Sequence, residues 1–329
     1  MALGLDDGCL AAPPGVGQLP TLLSSYGANR PPWDVAGVDY HVGVPASLAL
    51  KDPTSGALPA CATYDATTHG VTVTAANCSL EGLDFTKGGG LHVSVPSGIA
   101  GTVIDNCLFG LTGNSGTTTG LIDRRGGDLT VTNTTFQGTG YLPYFDTGAT
   151  GTVTFKYDYF YNIDGDAMDF GSSQIVDVEY DSCVQIGIAA GTHPDCVQFC
   201  GGALDPSSHE SFVLSYQPVG VTVTGAEGVQ TSQQCGGTIT AFSVDHNTII
   251  APDPKSLTMS CSVAVSDNVN VLSNYIDASG AFYPMYPSGN GMCTGNISMT
   301  QCSEYNAGTT YNYAPGAVIA GTFGTLTCK

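Results

Sequence analysis

A short clause of alternating apolar and polar residues recurs along the chain, and each copy ends on a large apolar residue. The first five closing residues are Phe85, Phe109, Phe136, Phe160 and Val184. Successive closing positions are therefore 24, 27, 24 and 24 residues apart. A repeat of this length has room for a few short strands and turns, but not for a crossover helix. One repeat cannot bury its apolar side alone, so neighbouring repeats must stack on each other.

The alternation has a period of two, which is typical of a strand with one buried side. Stacked repeats would then lie about 4.8 Å apart, the spacing of paired strands. The sequence therefore predicts an all-β parallel β-helix. Later clauses close at Ile249 and Ile276, and the 65 residues between Val184 and Ile249 accommodate two or three coils. A β-sandwich is the alternative, and it requires strands about every 8–12 residues joined by tight turns.

The composition fits one elongated domain with a distinct N-terminal segment. Residues 1–60 are rich in Pro and Gly and hold the only tryptophan, Trp33, so we expect an extended segment that caps the terminal coil. Residues 61–329 form the predicted β-helix, whose tyrosine-rich tail from Phe282 to Lys329 makes an irregular C-terminal cap. With 44 glycines and 42% hydrophobic residues, the chain is turn-dense yet apolar enough to fold.

A formal net charge of −20 excludes nucleic acid as a partner, because binding phosphates needs clustered Lys and Arg. No run of 18 apolar residues predicts membrane insertion. The N-terminus shows no secretory signal. We therefore expect an extracellular protein whose signal has been removed, or a virion-surface protein released by lysis.

Twelve cysteines leave two alternatives open. The closest spacing, Cys196-x3-Cys200, lacks the second ligand pair of a zinc site. Disulfides in an oxidising compartment and free thiols buried as small apolar groups both fit this pattern. Cys328 lies one residue from the end and would tie down the terminus.

Three features together resemble a known family. They are the coil clauses, the His-Pro-Asp-x-x-Gln element at 193–198 and an Asn-rich set of corners at Asn106, Asn133, Asn162, Asn247 and Asn274. Over roughly residues 60–290 the chain resembles the right-handed parallel β-helix proteins of the pectate-lyase-like superfamily. The resemblance implies a single-stranded right-handed coil and a polysaccharide partner, and its tailspike members leave a homotrimer as an open alternative.

The resemblance does not select a reaction. That superfamily includes polysaccharide lyases, glycoside hydrolases, epimerases, phage tailspikes and proteins without known activity. The sequence contains no Arg-x-Pro-x-x-Arg, Asn-Thr-Asp, Gly-His-Gly or Arg-Ile-Lys signature. A lyase and a hydrolase both remain compatible with it.

Two similar clauses mark the candidate site. Asp166 to Phe170 and Asp195 to Phe199 share the pattern Asp-x-apolar-Asp/Gln-Phe. Alignment by the following Gly or Ser predicts one outward column on four consecutive coils, made of Asp123, Asp146, Asp169 and Gln198. Asp166 and Asp195 form a second register, with His193 at its edge.

Carboxylates on adjacent coils would lie about 5 Å apart, and those two coils apart about 9–10 Å, by the strand spacing. These separations match retaining and inverting glycosidases. Like charges so close raise one pKa and yield a general acid beside a general base. Asp169 and Asp195 are our first catalytic candidates, and Asp166 and His193 complete the set.

The same face predicts substrate contacts from Asp146, Gln198, Tyr144, Arg124 and Arg125. A lyase would also need a cation to hold the uronate carboxylate, for which Arg124, Arg125, Lys156 and His193 are available, with Tyr144 as proton donor. Hydrolysis requires no cofactor. Ca²⁺ would suit the oxygens of Asp123, Asp146 and Asp169 and would bridge an acidic glycan to this acidic chain.

Structural interpretations stand beside these. An Asp ladder can hold a structural cation or cap turns, His193 can be satisfied by backbone, and Arg124-Arg125 can be a solvated pair. The other histidines, at positions 41, 69, 92, 209 and 246, show no spacing that predicts a metal triad. The sequence thus predicts a β-helix that binds and cleaves a polysaccharide as a lyase or hydrolase. The alternative is a non-catalytic surface, spike or fibre protein.

Overall fold

The computed structural model describes residues 17–328 with gaps. The gaps are 111–119, 139–141, 147, 172–174, 187–194, 200–205, 219–225, 232–238, 240, 251–256, 264–268, 278–285, 288–291, 301, 307–308 and 323–324. The described part is nearly all β. Its helical content is three short 3-10 turns, at Gly27–Asn29, Pro53–Ser55 and Lys87–Gly89. Within this part, no helix is both long and apolar enough to cross a membrane.

Each coil contributes one strand to each of three parallel faces, which confirms the predicted parallel β-helix. Face A contains Gly70–Val73, His92–Val95, Ile122–Arg124, Tyr144–Asp146, Met168–Phe170, Asp195–Phe199, Ala226–Thr231, Leu257–Val263 and Tyr286–Pro287. Face B contains Ser79–Glu81, Thr102–Asp105, Leu129–Thr132, Thr152–Lys156, Ile175–Glu179, His209–Ser211, Phe242–Asp245 and Val269–Leu272. Face C contains Leu108–Gly110, Thr135–Gln137, Tyr159–Ile163, Ser182–Ile186, Leu214–Tyr216, Thr248–Ile250 and Tyr275–Asp277.

The closing apolar residues form one inward column beneath face C. Phe85, Phe109, Phe136 and Phe160 are fully buried and stack ring on ring, with centroids 4.4, 4.9 and 4.8 Å apart. The column continues in register through Cys183, Ser215, Ile249 and Ile276. The fifth position is therefore Cys183 and not Val184, because Phe160 pairs with Cys183.

A left-handed residue makes every turn from face B to face C, and we call these residues the corners. Most are not glycine: they are Gly82, Asn106, Asn133, Tyr157, Tyr180, Phe212, His246, Ser273 and Gly295. The residue after each corner points inward and accepts a hydrogen bond from the equivalent backbone N–H of the preceding coil. For example, the N–H of Asn247 donates to Oδ1 of Asn274 at 2.8 Å, and the N–H of Asn274 donates to Oδ1 of Asn296 at 2.9 Å.

The inner corner ladder changes chemistry along the coil. Its members are Cys107, Thr134, Asp158, Asp181, Val213, Asn247, Asn274 and Asn296. Of the five asparagines expected at corners, Asn106 and Asn133 are corners, and Asn247 and Asn274 belong to this inner ladder. Asn162 has left-handed geometry within face C, where its Oδ1 accepts a hydrogen bond from Gln185 at 2.9 Å.

Residues 17–51, which we call the strap, run along the side of the coil across successive corners. The hydroxyl of Tyr26 bonds Asp277, the ring of Trp33 packs 5.3 Å from His246, and the ring of Tyr40 packs 6.1 Å from Tyr157. The strap ends where the N–H of Lys51 donates to the carbonyl of Gly82 at 2.8 Å. We expected a cap over the terminal coil, but this part of the segment covers the aromatic corner side chains instead, where it buries apolar surface over many coils.

The two ends of the coil carry antiparallel strands. Ala62–Asp65 pairs with the first strand of face A. Met292–Ser298 follows the last strands of faces B and C and pairs antiparallel with Val318–Thr322, which in turn pairs with Thr325–Cys328. Cys302–Asn306 and Thr309–Tyr313 form a separate hairpin.

Cysteines in the described residues take both of the predicted forms. Cys61 is bonded to Cys78 and Cys183 to Cys196, whereas Cys107 is a buried free thiol. The second disulfide ties face C to face A inside one coil, next to the strand that carries Asp195. It thereby fixes the position of the candidate site.

Candidate functional site

Asp169 lies on the outward side of face A, in the second position of the strand Met168–Phe170. Its register partner on the next coil is Gln198, and both side chains are shielded, with 7% and 6% exposure. Oδ1 of Asp169 is buried and has no hydrogen-bond partner in the described part of the chain. Burial first, and then the carboxylates of Asp166 and Asp146, raise the pKa of Asp169 to about 7.

Asp166 and Asp195 meet across the same pair of coils, as the second register predicted. The N–H of Asp195 donates to Oδ1 of Asp166 at 2.8 Å, and the N–H of Ala167 donates to the carbonyl of Asp195 at 2.8 Å. Asp166 is half-buried, whereas Asp195 is fully buried. Asp166 therefore presents the more accessible carboxylate, and the backbone of Asp195 positions it.

The predicted outward column is wrong at Asp146. Phe145 pairs with Asp123 and Asp169, while Asp146 pairs with Arg124 and Phe170. Asp146 consequently points into the coil and is fully buried. An interior carboxylate is tolerated there because Arg124, on the coil below, supplies an interior counter-charge, and a rule based on strand alternation cannot anticipate such a pair.

Arg124 and Tyr144 are also interior, which contradicts their predicted contacts with substrate. Arg124 is fully buried, with Nη1 3.5 Å from Oδ2 of Asp146. The hydroxyl of Tyr144 donates to the same oxygen at 2.8 Å. The guanidinium also donates to the carbonyls of Gly127 and Thr150, at 2.8 and 2.6 Å. These groups stabilise the turn from face A to face B and do not reach a glycan on the outer surface.

We predict that Arg124→Ala lowers the free energy of unfolding by about 3 kcal/mol, because it leaves the carboxylate of Asp146 buried without its counter-charge. Arg125→Ala is the matched control, since Arg125 is 56% exposed and pairs with Asp123 at 3.2 Å; it should cost under about 1 kcal/mol. Urea denaturation of both variants checks this. Equal stability of the two, with lower glycan affinity in Arg124→Ala, would instead support a binding role for Arg124.

The remaining predicted site residues separate. Asp123 and Asp169 share the outward column, but Asp146 lies on the inner side, so these three do not form the predicted Ca²⁺ set. Arg125 pairs with Asp123 at the surface. His193 lies outside the described residues.

Face B carries a cluster that the sequence analysis missed. Asp177, Glu179 and His209 place one ligand atom each within 4.8 Å of the others. Lys156 joins them through Glu179, with Nζ 2.6 Å from Oε2. Asp177 and His209 are 32 residues apart, which is one coil. The histidines had been compared with each other, whereas comparison across one coil length would have found this cluster.

Comparison with known proteins identifies no relative: no family model, no curated protein and no solved structure matches the chain. The side-chain geometry of faces A and B is therefore the basis for assigning a function.

Proposed function

We propose that this protein binds a polysaccharide on face A and hydrolyses a glycosidic bond there, with Asp169 as general acid. The observation that carries the proposal is the state of Asp169, a shielded carboxyl on an outward strand position whose pKa is raised to about 7. A carboxyl group of this kind keeps its proton near neutral pH and can give it to a leaving oxygen.

The half-buried carboxylate of Asp166 supplies the second group of a hydrolase pair. It takes a proton from the attacking water while Asp169 protonates the glycosidic oxygen, so the C–O bond breaks as the new C–OH bond forms. The N–H of Asp195, 2.8 Å from Oδ1 of Asp166, fixes the base. This arrangement gives the base role to Asp166, because Asp195, one of our two first candidates, is fully buried.

Hydrolysis is favoured over β-elimination by the positions of the basic side chains. Elimination needs a cation beside the uronate carboxylate. Arg124 is interior, Arg125 pairs with Asp123, and Lys156 pairs with Glu179 on face B. Membership of the pectate-lyase-like superfamily and location outside the cell are parts of the same proposal, and the two disulfides support an oxidising compartment.

The test is incubation with a panel of neutral and acidic glycans, with Ca²⁺ or with chelator, while new reducing ends and unsaturated uronate absorbance are recorded. We expect new reducing ends without unsaturation. The rate should be highest below about pH 7 and fall as the pH rises through the pKa of Asp169. Asp169→Asn should lower the rate by about 10²–10⁴-fold.

Asp123→Asn is the control for that assay, since Asp123 occupies the same outward column two coils away and should leave the rate within about threefold. Unsaturated products would show a lyase. Full activity in Asp169→Asn would remove Asp169 from the mechanism, and no product from any glycan would overturn catalysis.

A non-catalytic rod or adhesin is the second candidate, and the shielding of face A favours it. Asp123, Asp169 and Gln198 expose 8%, 7% and 6% of their surface, so a bound chain would reach little of them. The strap, which joins many coils, is also a feature expected of a rigid rod. Glycan binding without cleavage in the same assay would select this candidate.

A further inference from the structure

Three side chains from two neighbouring strands of face B converge on its outer surface. Nε2 of His209 lies 2.9 Å from Oε1 of Glu179 and 3.2 Å from Oδ1 of Asp177. We propose that Asp177, Glu179 and His209 bind a divalent transition-metal ion, for which Zn²⁺ is the representative. This site is separate from the proposed hydrolase pair, which lies on face A.

The spacing of the three ligand atoms matches one metal ion. Zinc is bound by imidazole nitrogen and carboxylate oxygen at about 2.0–2.2 Å, so neighbouring ligand atoms lie about 3.0–3.5 Å apart around it. The observed 2.9 and 3.2 Å are close to that spacing, and all three atoms lie within 4.8 Å of one another. Small rotations of the side chains would complete the site.

The orientation of His209 is already that of a metal ligand. Nδ1 lies 3.0 Å from the carbonyl of Ser207, which can only accept, so Nδ1 carries a proton and donates it. Metal-ligating histidines are commonly held in this way by a backbone carbonyl at the other ring nitrogen. The lone pair of Nε2 in the neutral ring would then face the two carboxylates.

Each carboxylate is also prepared. Lys156 donates to Oε2 of Glu179 at 2.6 Å, which holds the other oxygen, Oε1, towards His209. Oδ1 of Asp177 is shielded from solvent and has no hydrogen-bond partner in the described part of the protein. Burial, and then the charge of Glu179, raise the pKa of Asp177. A bound cation would neutralise this shielded oxygen.

The sheet fixes the three positions before any ion binds. Asp177 and His209 are direct register partners on adjacent parallel strands, and Glu179 follows Asp177 by two residues on the same side. The side chains of Asp177, Glu179 and His209 are 30%, 16% and 32% exposed, so water or a substrate group can complete the coordination. Imidazole favours zinc, copper, iron and nickel over Ca²⁺ and Mg²⁺.

The rival explanation is an ion-pair network in which protonated His209 and Lys156 balance the two carboxylates without a metal. The full chain, stripped with chelator and exchanged into metal-free buffer, should be titrated with Zn²⁺ by calorimetry and with Co²⁺ by visible absorption. We expect one ion per chain and a cobalt d–d band. His209→Gln and Asp177→Asn should each weaken binding by at least about 10–100-fold.

His246→Gln is the matched control. His246 also contacts a carboxylate of its own coil, with Nδ1 2.7 Å from Asp245, yet it has no second acidic neighbour among the described ligand clusters, so binding should be unchanged. Circular dichroism of each variant confirms that the fold is retained. No saturable binding of Zn²⁺ or Co²⁺, undiminished binding in both site variants, a cobalt–thiolate charge-transfer band or a preference for Ca²⁺ would each overturn the proposal.

Discussion

The double variant Asp158→Asn/Asp181→Asn should be more stable than the parent protein at pH 8 and nearly equal to it at pH 4. Both residues are fully buried in the inner corner ladder, where the N–H of Thr134 donates to Asp158 and the N–H of Asp158 donates to Asp181, each at 2.6 Å. Burial raises the pKa of both carboxyls well above its ordinary value. The chain therefore holds two interior acids in the protonated form.

The direction of the pH dependence follows from linkage. Below an ordinary carboxyl pKa of about 4, folded and unfolded states both bind these protons. As the pH rises, the unfolded chain releases them first, so the unfolded state gains stability and the folded state loses it. Each unit of raised pKa corresponds to about 1.4 kcal/mol, so two such groups together amount to several kcal/mol by pH 8.

Asparagine should replace these acids well because later coils already use it. Nδ2 of Asn274 donates to the carbonyl of Val244 at 3.1 Å, and Nδ2 of Asn296 donates to that of Val271 at 3.0 Å. An aspartate can make this bond only when it is protonated. Oδ2 of Asp181 is in fact buried with no hydrogen-bond partner in the described residues. The amide removes this dependence on a proton.

The measurement is urea denaturation at intervals from pH 4 to pH 8, with chelator present so that no metal contributes. Asn274→Asp is the reciprocal control. It inserts an acid into the same ladder and should destabilise the protein at pH 8 while sparing it at pH 4. A double variant whose pH profile runs parallel to that of the parent would show that Asp158 and Asp181 are not the groups responsible.

The fold was predictable because its signal is periodic. Each coil must bury an apolar side chain at the same corner, so Phe85, Phe109, Phe136 and Phe160 recur at coil length, and their stacking is the physical cause of the interval. Errors of a single residue remained. Val184 was chosen over Cys183 because it is the more apolar of two adjacent buried residues, and the disulfide that places Cys183 inside depends on a distant partner.

The site was predictable only where it follows the register. Asp166 and Asp195 are adjacent because one coil separates them. Asp146 was misplaced because its orientation depends on the interior charge of Arg124, a contact across two coils. The course of the strap was also beyond reach, since its contacts with corners such as Tyr157 and His246 join segments far apart in the chain. Pattern reasoning thus found periodic neighbours and missed pairs that only a tertiary contact explains.

Phe136→Ala should destabilise the protein by about 3–5 kcal/mol, since it opens a cavity in a fully buried ring stack. Its ring lies 4.9 Å from that of Phe109 and 4.8 Å from that of Phe160, so two stacked contacts are lost at once. Tyr161→Ala is the control on the outer side of face C, where the side chain is 39% exposed and should cost under about 1 kcal/mol. Urea unfolding followed by circular dichroism gives both values. In a stacked coil the lost contact also weakens coupling between the halves on either side, so the transition of Phe136→Ala should broaden as well as shift. A cost for Phe136→Ala no greater than that for Tyr161→Ala would mean that the aromatic column does not hold the coils together.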